Sequence, residues 1–145
     1  MSTKRNYDIY VAVFKGIPMD FCKFRHTGLW FYPDEGTEEC YVHVVGLTGE
    51  FEFETRLGWD PANTVSFAKK VKVGTTKRSL TTSELVALSQ SIPVENRNPE
   101  FNCQQWVQRA LLALFKNGYI TEEEYNNGVN GMIDATMEAE DETLP

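Results

Sequence analysis

Glu50-Phe51-Glu52-Phe53-Glu54-Thr55-Arg56-Leu57 alternates between charged residues and bulky or β-branched ones without a break. Successive side chains of an extended chain point to opposite faces. Phe51, Phe53, Thr55 and Leu57 therefore share one face, and Glu50, Glu52, Glu54 and Arg56 the other. That is the pattern of a half-buried antiparallel strand, one face on a core and one in water. Three segments before it also read as strands: Tyr7 to Phe14, Phe24 to Tyr32 and Cys40 to Val45. A less regular fifth follows, Val65 to Val73. Pro33-Asp34-Glu35-Gly36 and Thr48-Gly49 carry turn chemistry between them.

The second half changes period. Thr81-Thr82-Ser83-Glu84 fits a capping box, with Thr81 at the cap and Glu84 three residues on, so a short helix is expected to end before Pro93. Val94 to Phe101 reads as loop. A strong helix is predicted from about Cys103 to Lys116, stopped by Asn117-Gly118. Thr121 and Glu124 form a second capping box, opening a third helix that runs through Asn126-Asn127-Gly128 towards Met137. Strands grouped first and helices later indicate an α+β fold, an antiparallel sheet of about five strands packed against helices. A chain of 145 residues fits one domain, 1–145. Its acidic tail from about Glu138 is expected to fray.

Composition narrows the function classes. Hydrophobic residues are 41% and charged residues 24%, ordinary for a globular protein. The net charge of −7 disfavours nucleic acid as a partner. Lys69, Lys70, Lys72, Lys77 and Arg78 are a local exception, read either as a solvated strand and loop or as an anchor for an acidic substrate or partner. Neither a signal sequence nor a membrane-spanning run is seen. The 3 cysteines lack the even count and regular spacing of a disulfide framework, so a reducing compartment, the cytoplasm, is expected.

Cys103 is the first candidate for chemistry. Asn102 is a favoured N-cap, which sets Cys103 in the first turn of its helix. There, unpaired N–H groups and the helix dipole favour a thiolate, and the same groups can hold an oxyanion. The alternative is a core residue, since Cys103 shares a helical face with Val107, Ala110 and Leu114. A thiol nucleophile needs a base, and the chain has only 2 histidines, His26 and His43, both in predicted strands. With Asp34 and Glu35 as a two-residue hairpin tip, the two rings fall opposite each other on one face. A bulge at Gly36 would turn them to opposite faces.

His26-Thr27-Gly28-Leu29-Trp30-Phe31 on an early strand, a second histidine on the next, and a later Asn102-Cys103-Gln104-Gln105-Trp106 opening a helix form an ordered set. It resembles the permuted papain-like thiol enzymes of the lecithin:retinol acyltransferase type, over roughly Lys23 to Leu114. The resemblance implies a permuted papain-like fold, with Cys103 as nucleophile, His26 as general base and His43 as the residue that orients it. Gln104-Gln105 departs from the family's Glu-His pair, the interval between the histidines is longer, and the hydrophobic C-terminal anchor of some members is missing.

Other chemistry ranks lower. A zinc site from His26, His43 and Cys22 or Cys40 lacks any short ligand spacing, so no metal and no other cofactor is expected. Cys22 and Cys40 read as packing residues, and Trp59-Asp60-Pro61 as a turn whose aromatic packs or lines a pocket. The function expected is a cysteine-dependent hydrolase or acyltransferase. It would act on an ester, thioester or amide carbonyl of a small-molecule or peptide substrate, with neither nucleic acid nor membrane as partner. The alternative is a non-catalytic binding module on the same fold.

Overall fold

The alternating segment becomes the edge strand of a five-stranded antiparallel sheet. In chain order the strands are β1 (Tyr7–Phe14), β2 (His26–Pro33), β3 (Cys40–Val45), β4 (Glu52–Leu57) and β5 (Phe67–Thr75). They lie side by side as β4-β3-β2-β1-β5. Three helices follow: α1 (Thr82–Gln90), α2 (Cys103–Lys116) and α3 (Glu122–Thr136). The structure, a computed structural model, describes residues 3–17, 19–22, 25–35 and 38–139. The expected start of the second strand at Phe24, the turn residue Gly36 and the end of the acidic tail lie outside the described residues.

Local chemistry sets the helix starts. Thr81 accepts from the Glu84 N–H while Glu84 accepts from the Thr81 N–H, and Thr121 and Glu124 do the same for α3. Asn102 caps α2 by accepting from the Gln105 N–H at 3.0 Å. The glycines of α3 do not interrupt it. A Cβ at Gly131 would come within 2.5 Å of Val71, and one at Gly128 within 3.0 Å of Val73, so their smallness is what lets the helix lie against β5.

Two strands start later than the sequence pattern suggests. Asn96 takes both backbone groups of Phe51, accepting from its N–H at 2.8 Å and donating to its carbonyl at 3.0 Å, so β4 begins at Glu52. Val65 is fully exposed in the turn that precedes β5.

Side-chain alternation divides the sheet into two faces. Ile9, Val11, Leu29, Phe31, Val42 and Val44 meet Trp106, Val107, Leu111 and Met132 in a dry core beneath the helices. Each such aliphatic side chain, fully withdrawn from water, contributes about 1.5–3 kcal/mol before entropy is counted. The opposite face carries a smaller aromatic cluster of Phe14, Trp30 and Tyr41, with Tyr10, Trp59 and Phe67 packed around it.

Candidate functional site

The ladder between β2 and β3 is short. It pairs only Leu29 with Val42, Trp30 with Tyr41 and Phe31 with Cys40. The tight-tip register would have set Leu29 opposite Cys40, so the strands are displaced by two residues from that expectation. An even displacement preserves parity, and His26 and His43 remain on one face as diagonal rather than direct neighbours. Beyond Leu29 and Val42 this ladder ends, although β2 stays paired with β1 back to His26 and β3 with β4 out to Val45. The sheet parts at this end.

The two histidines meet there. His26 Nε2 lies 2.7 Å from His43 Nδ1, and His43 Nε2 lies 2.8 Å from Glu54 Oε1. The register of β3 on β4 sets His43 directly opposite Glu54. Arg56 donates its Nε–H to the same carboxylate oxygen at 2.7 Å. His43 and Arg56 hold the Glu54 carboxyl below the usual carboxylate range. Burial pushes the His26 imidazole down to about 4, aided by the neighbouring His43, which disfavours a second positive ring, and by the Arg56 charge, and opposed by Glu54. Burial also lowers His43, against its hydrogen bond to Glu54.

These directions fix the tautomers. An ionised carboxylate only accepts, so neutral His43 donates Nε2–H to Glu54. Its Nδ1 then accepts from the Nε2–H of neutral His26, leaving the His26 lone pair on Nδ1. The result is a hydrogen-bonded carboxylate–imidazole–imidazole relay with a lone pair left on His26 Nδ1.

Cys103 opens α2 as expected and is nearly buried, 9% exposed. Its thiol donates to the Arg25 carbonyl at 3.8 Å, the peptide immediately before His26. Gln104 Nε2 donates to the same carbonyl at 3.4 Å. Among the described residues no hydrogen bond joins the sulfur to either imidazole. Burial raises the thiol, outweighing Thr27 and the Cys103 and Gln104 backbone N–H groups, which favour the charged form. The helix start therefore acts in the anticipated direction and is overridden by desolvation. Because Asn102 engages the Gln105 and Trp106 N–H groups, those of Cys103 and Gln104 stay outside the helix's own ladder.

Arg25 braces this corner. Its guanidinium donates to both carboxylate oxygens of Asp20, at 3.0 and 2.9 Å, and to the Ala135 carbonyl of α3 at 2.8 Å. That pairing draws the Asp20 carboxyl down to about 2.

A cavity of about 310 Å³ opens beside the relay, lined by His26 and His43 together with Phe14, Tyr41, Arg56 and Trp59. Trp59 both packs and lines. Its ring centroid is 4.7 Å from that of Tyr41, Arg56 sits 4.8 Å over it, and its carbonyl accepts from Trp30 Nε1. Sequence reading missed Glu54, Arg56, Phe14 and Tyr41 as members of the site. Glu54 and Arg56 looked like the wet side of an edge strand, and only the cross-strand register reveals their partners.

The remaining candidates resolve simply. Cys40 is fully buried, its thiol pushed up to about 12 by burial, and Cys22 donates to the Ala139 carbonyl at 3.3 Å. Neither these nor Cys103 is in a disulfide. Among the described residues no cluster of three His, Cys, Asp or Glu is placed to hold a metal. The basic stretch is engaged within the chain. Lys69 pairs with Glu138, Lys72 with Asp8 and Lys77 with Glu124. Lys70 covers Tyr10 and Trp30, and Arg78 covers Tyr119.

Residues 9–121 match a family of unknown function, DUF6540. The chain belongs to this family. Comparison with curated proteins and with solved structures returns no match. Among the described residues no helix is long and apolar enough to cross a membrane.

Proposed function

We propose that this DUF6540 member is a thiol hydrolase or acyltransferase of permuted papain-like architecture, working in a reducing compartment. The observation that carries the reading is the Glu54–His43–His26 relay at the parted end of the sheet, beside the residue on whose carbonyl the Cys103 thiol rests. His26 Nδ1 accepts the thiol proton, and the thiolate sulfur bonds to the carbonyl carbon of an ester, thioester or amide. The carbonyl electron pair moves to oxygen, where the Cys103 and Gln104 N–H groups are donors. Collapse expels the leaving group, which takes the proton from the His26 imidazolium, and leaves an acyl-thioenzyme. Water or an amine, deprotonated by His26, then attacks that thioester and returns the thiol.

At rest both Cys103 and His26 are neutral, so proton transfer is coupled to substrate arrival rather than stored as an ion pair. The nearly buried thiol favours a second reading, a binding module that uses the cavity without chemistry. Incubation with p-nitrophenyl acetate followed by mass spectrometry separates the two. One acetyl group on Cys103, absent from Cys103→Ala, is expected. Full-length protein that stays unmodified at Cys103 while other thiol reagents reach it would remove the enzymatic reading.

A further inference from the structure

The lining of the relay cavity is electrostatically unlike the rest of the chain. The protein has 21 acidic residues and a net charge of −7. Yet the cavity is lined by Lys15 and Arg56, the neutral pair His26 and His43, Thr64 and Ser66, and mainly apolar residues, with no Asp or Glu among the described residues of the lining. The nearby carboxylate, Glu54, is already shared by His43 and Arg56. Arg56 spends only Nε–H on Glu54, and a guanidinium has further donors on its terminal nitrogens. Its guanidinium carbon lies over the Trp59 ring, 4.8 Å from the centroid.

The apolar wall is equally specific. Phe14, Tyr41 and Trp59 form a continuous aromatic surface, with centroid separations of 6.1, 6.2 and 4.7 Å. His26 lies 5.8 Å from Phe14 and His43 4.5 Å from Tyr41, so the two rings of the relay are part of that wall. At about 310 Å³ the cavity is at the lower end of small-molecule sites, which run from roughly 300 to 1,000 Å³.

We infer that the cavity takes a small acyl compound with an apolar, flat or short-chain body and an anionic group. The body lies on the Phe14–Tyr41–Trp59 wall and the anion is held by Arg56, with Lys15 at the same cavity. A cationic substrate is disfavoured by both side chains. A neutral one of the same shape gains the wall but forfeits the charge-assisted hydrogen bonds. The inference rests on the proposed function only in taking this cavity, lined by His26 and His43 but not by Cys103, as the acyl-binding side of the site.

Calorimetric titration of the Cys103→Ala protein tests it without any chemistry. The probes are phenylacetate and hexanoate, each with its matched amide, and benzylamine. The carboxylates are expected to bind roughly tenfold more tightly than their amides, and benzylamine most weakly. Arg56→Gln is expected to erase the difference between carboxylate and amide, and Arg56→Lys to restore part of it. The parent ligand series decides the matter even if Arg56→Gln disturbs Glu54. Equal binding of carboxylate and amide, preference for benzylamine, or no binding by any probe overturns the inference. Cys103 acetylation alongside such a negative result leaves the thiol reading intact; carboxylate binding with no acetylation does the reverse.

Discussion

The two faces of the sheet come from the same strands and differ in kind. Towards the helices, alternate positions carry Ile9, Val11, Leu29, Phe31 and Val42, closed off by Trp106, Val107 and Leu111. Away from them, the intervening positions carry Phe14, His26, Trp30, Tyr41 and His43, all but Trp30 lining a cavity. One face is fully covered by the helices and mixes aliphatic with aromatic side chains; the other bears hydrogen-bonding imidazoles beside an aromatic cluster. A strand's period of two lets neighbouring residues face a covered core on one side and a cavity on the other. Cys103 sits where this division fails, a member of the helix-side core whose sulfur reaches the backbone that carries the first histidine.

The sharpest way to break this comparison is to damage each face alone. His26→Ala is expected to slow Cys103 acylation by roughly 10²–10⁴-fold with little change in the urea midpoint. Unchanged acylation would mean that the ring-bearing face has no part in the chemistry. Leu111→Ala, on the helix side, is expected to cost about 2–5 kcal/mol in urea unfolding. A loss under 1 kcal/mol would show that this face is not the tightly packed one.

Acid probes the ring-bearing face without mutation. His26 is depressed from 6.5 to about 4 in the folded protein, so below pH 6.5 the unfolded chain binds a proton that the native state refuses. Stability on this account is fully present above pH 6.5 and falls as the pH drops towards 4, by on the order of 2–3 kcal/mol. His43 adds to the loss in the same direction. Urea midpoints at several pH values check this, and His26→Gln should flatten the slope; an unchanged slope would mean that His26 is not the residue responsible. The smallest effect is expected from Glu54→Gln. The relay would lose the carboxylate that fixes the His43 tautomer, slowing acylation roughly tenfold. Stability should change by under about 1 kcal/mol, since Glu54 is partly solvated. A Glu54→Gln protein with wild-type acylation kinetics across pH would separate the carboxylate from the mechanism.

Legibility in the sequence followed the range of the interaction involved. The capping boxes at Thr81 and Thr121 and the Asn102 cap are contained within four residues, and α2 and α3 start where they dictate. The bounds of β1 and β3 were readable because their composition changes abruptly at both ends. The shared face of His26 and His43 survived an incorrect register because parity, not the exact pairing, decides it. Glu54 was invisible because nothing near it in sequence distinguishes it from Glu50 or Glu52. The two readings of Cys103, activated thiol and core residue, could not be separated for a related reason. The helix start is local and legible, whereas its burial depends on strands far away in the chain.

Arg25 gives this corner a dependence on the other end of the chain. Its guanidinium grips the Ala135 carbonyl at the close of α3, while its own carbonyl carries the Cys103 thiol and Gln104. The last helix thus serves as a backstop for the peptide on which the sulfur rests. Loosening its final turn, by trimming or by a bulky fusion, would release that backstop while most of the core stayed folded. A label on Cys103 would then report on the integrity of a helix at the far end of the chain.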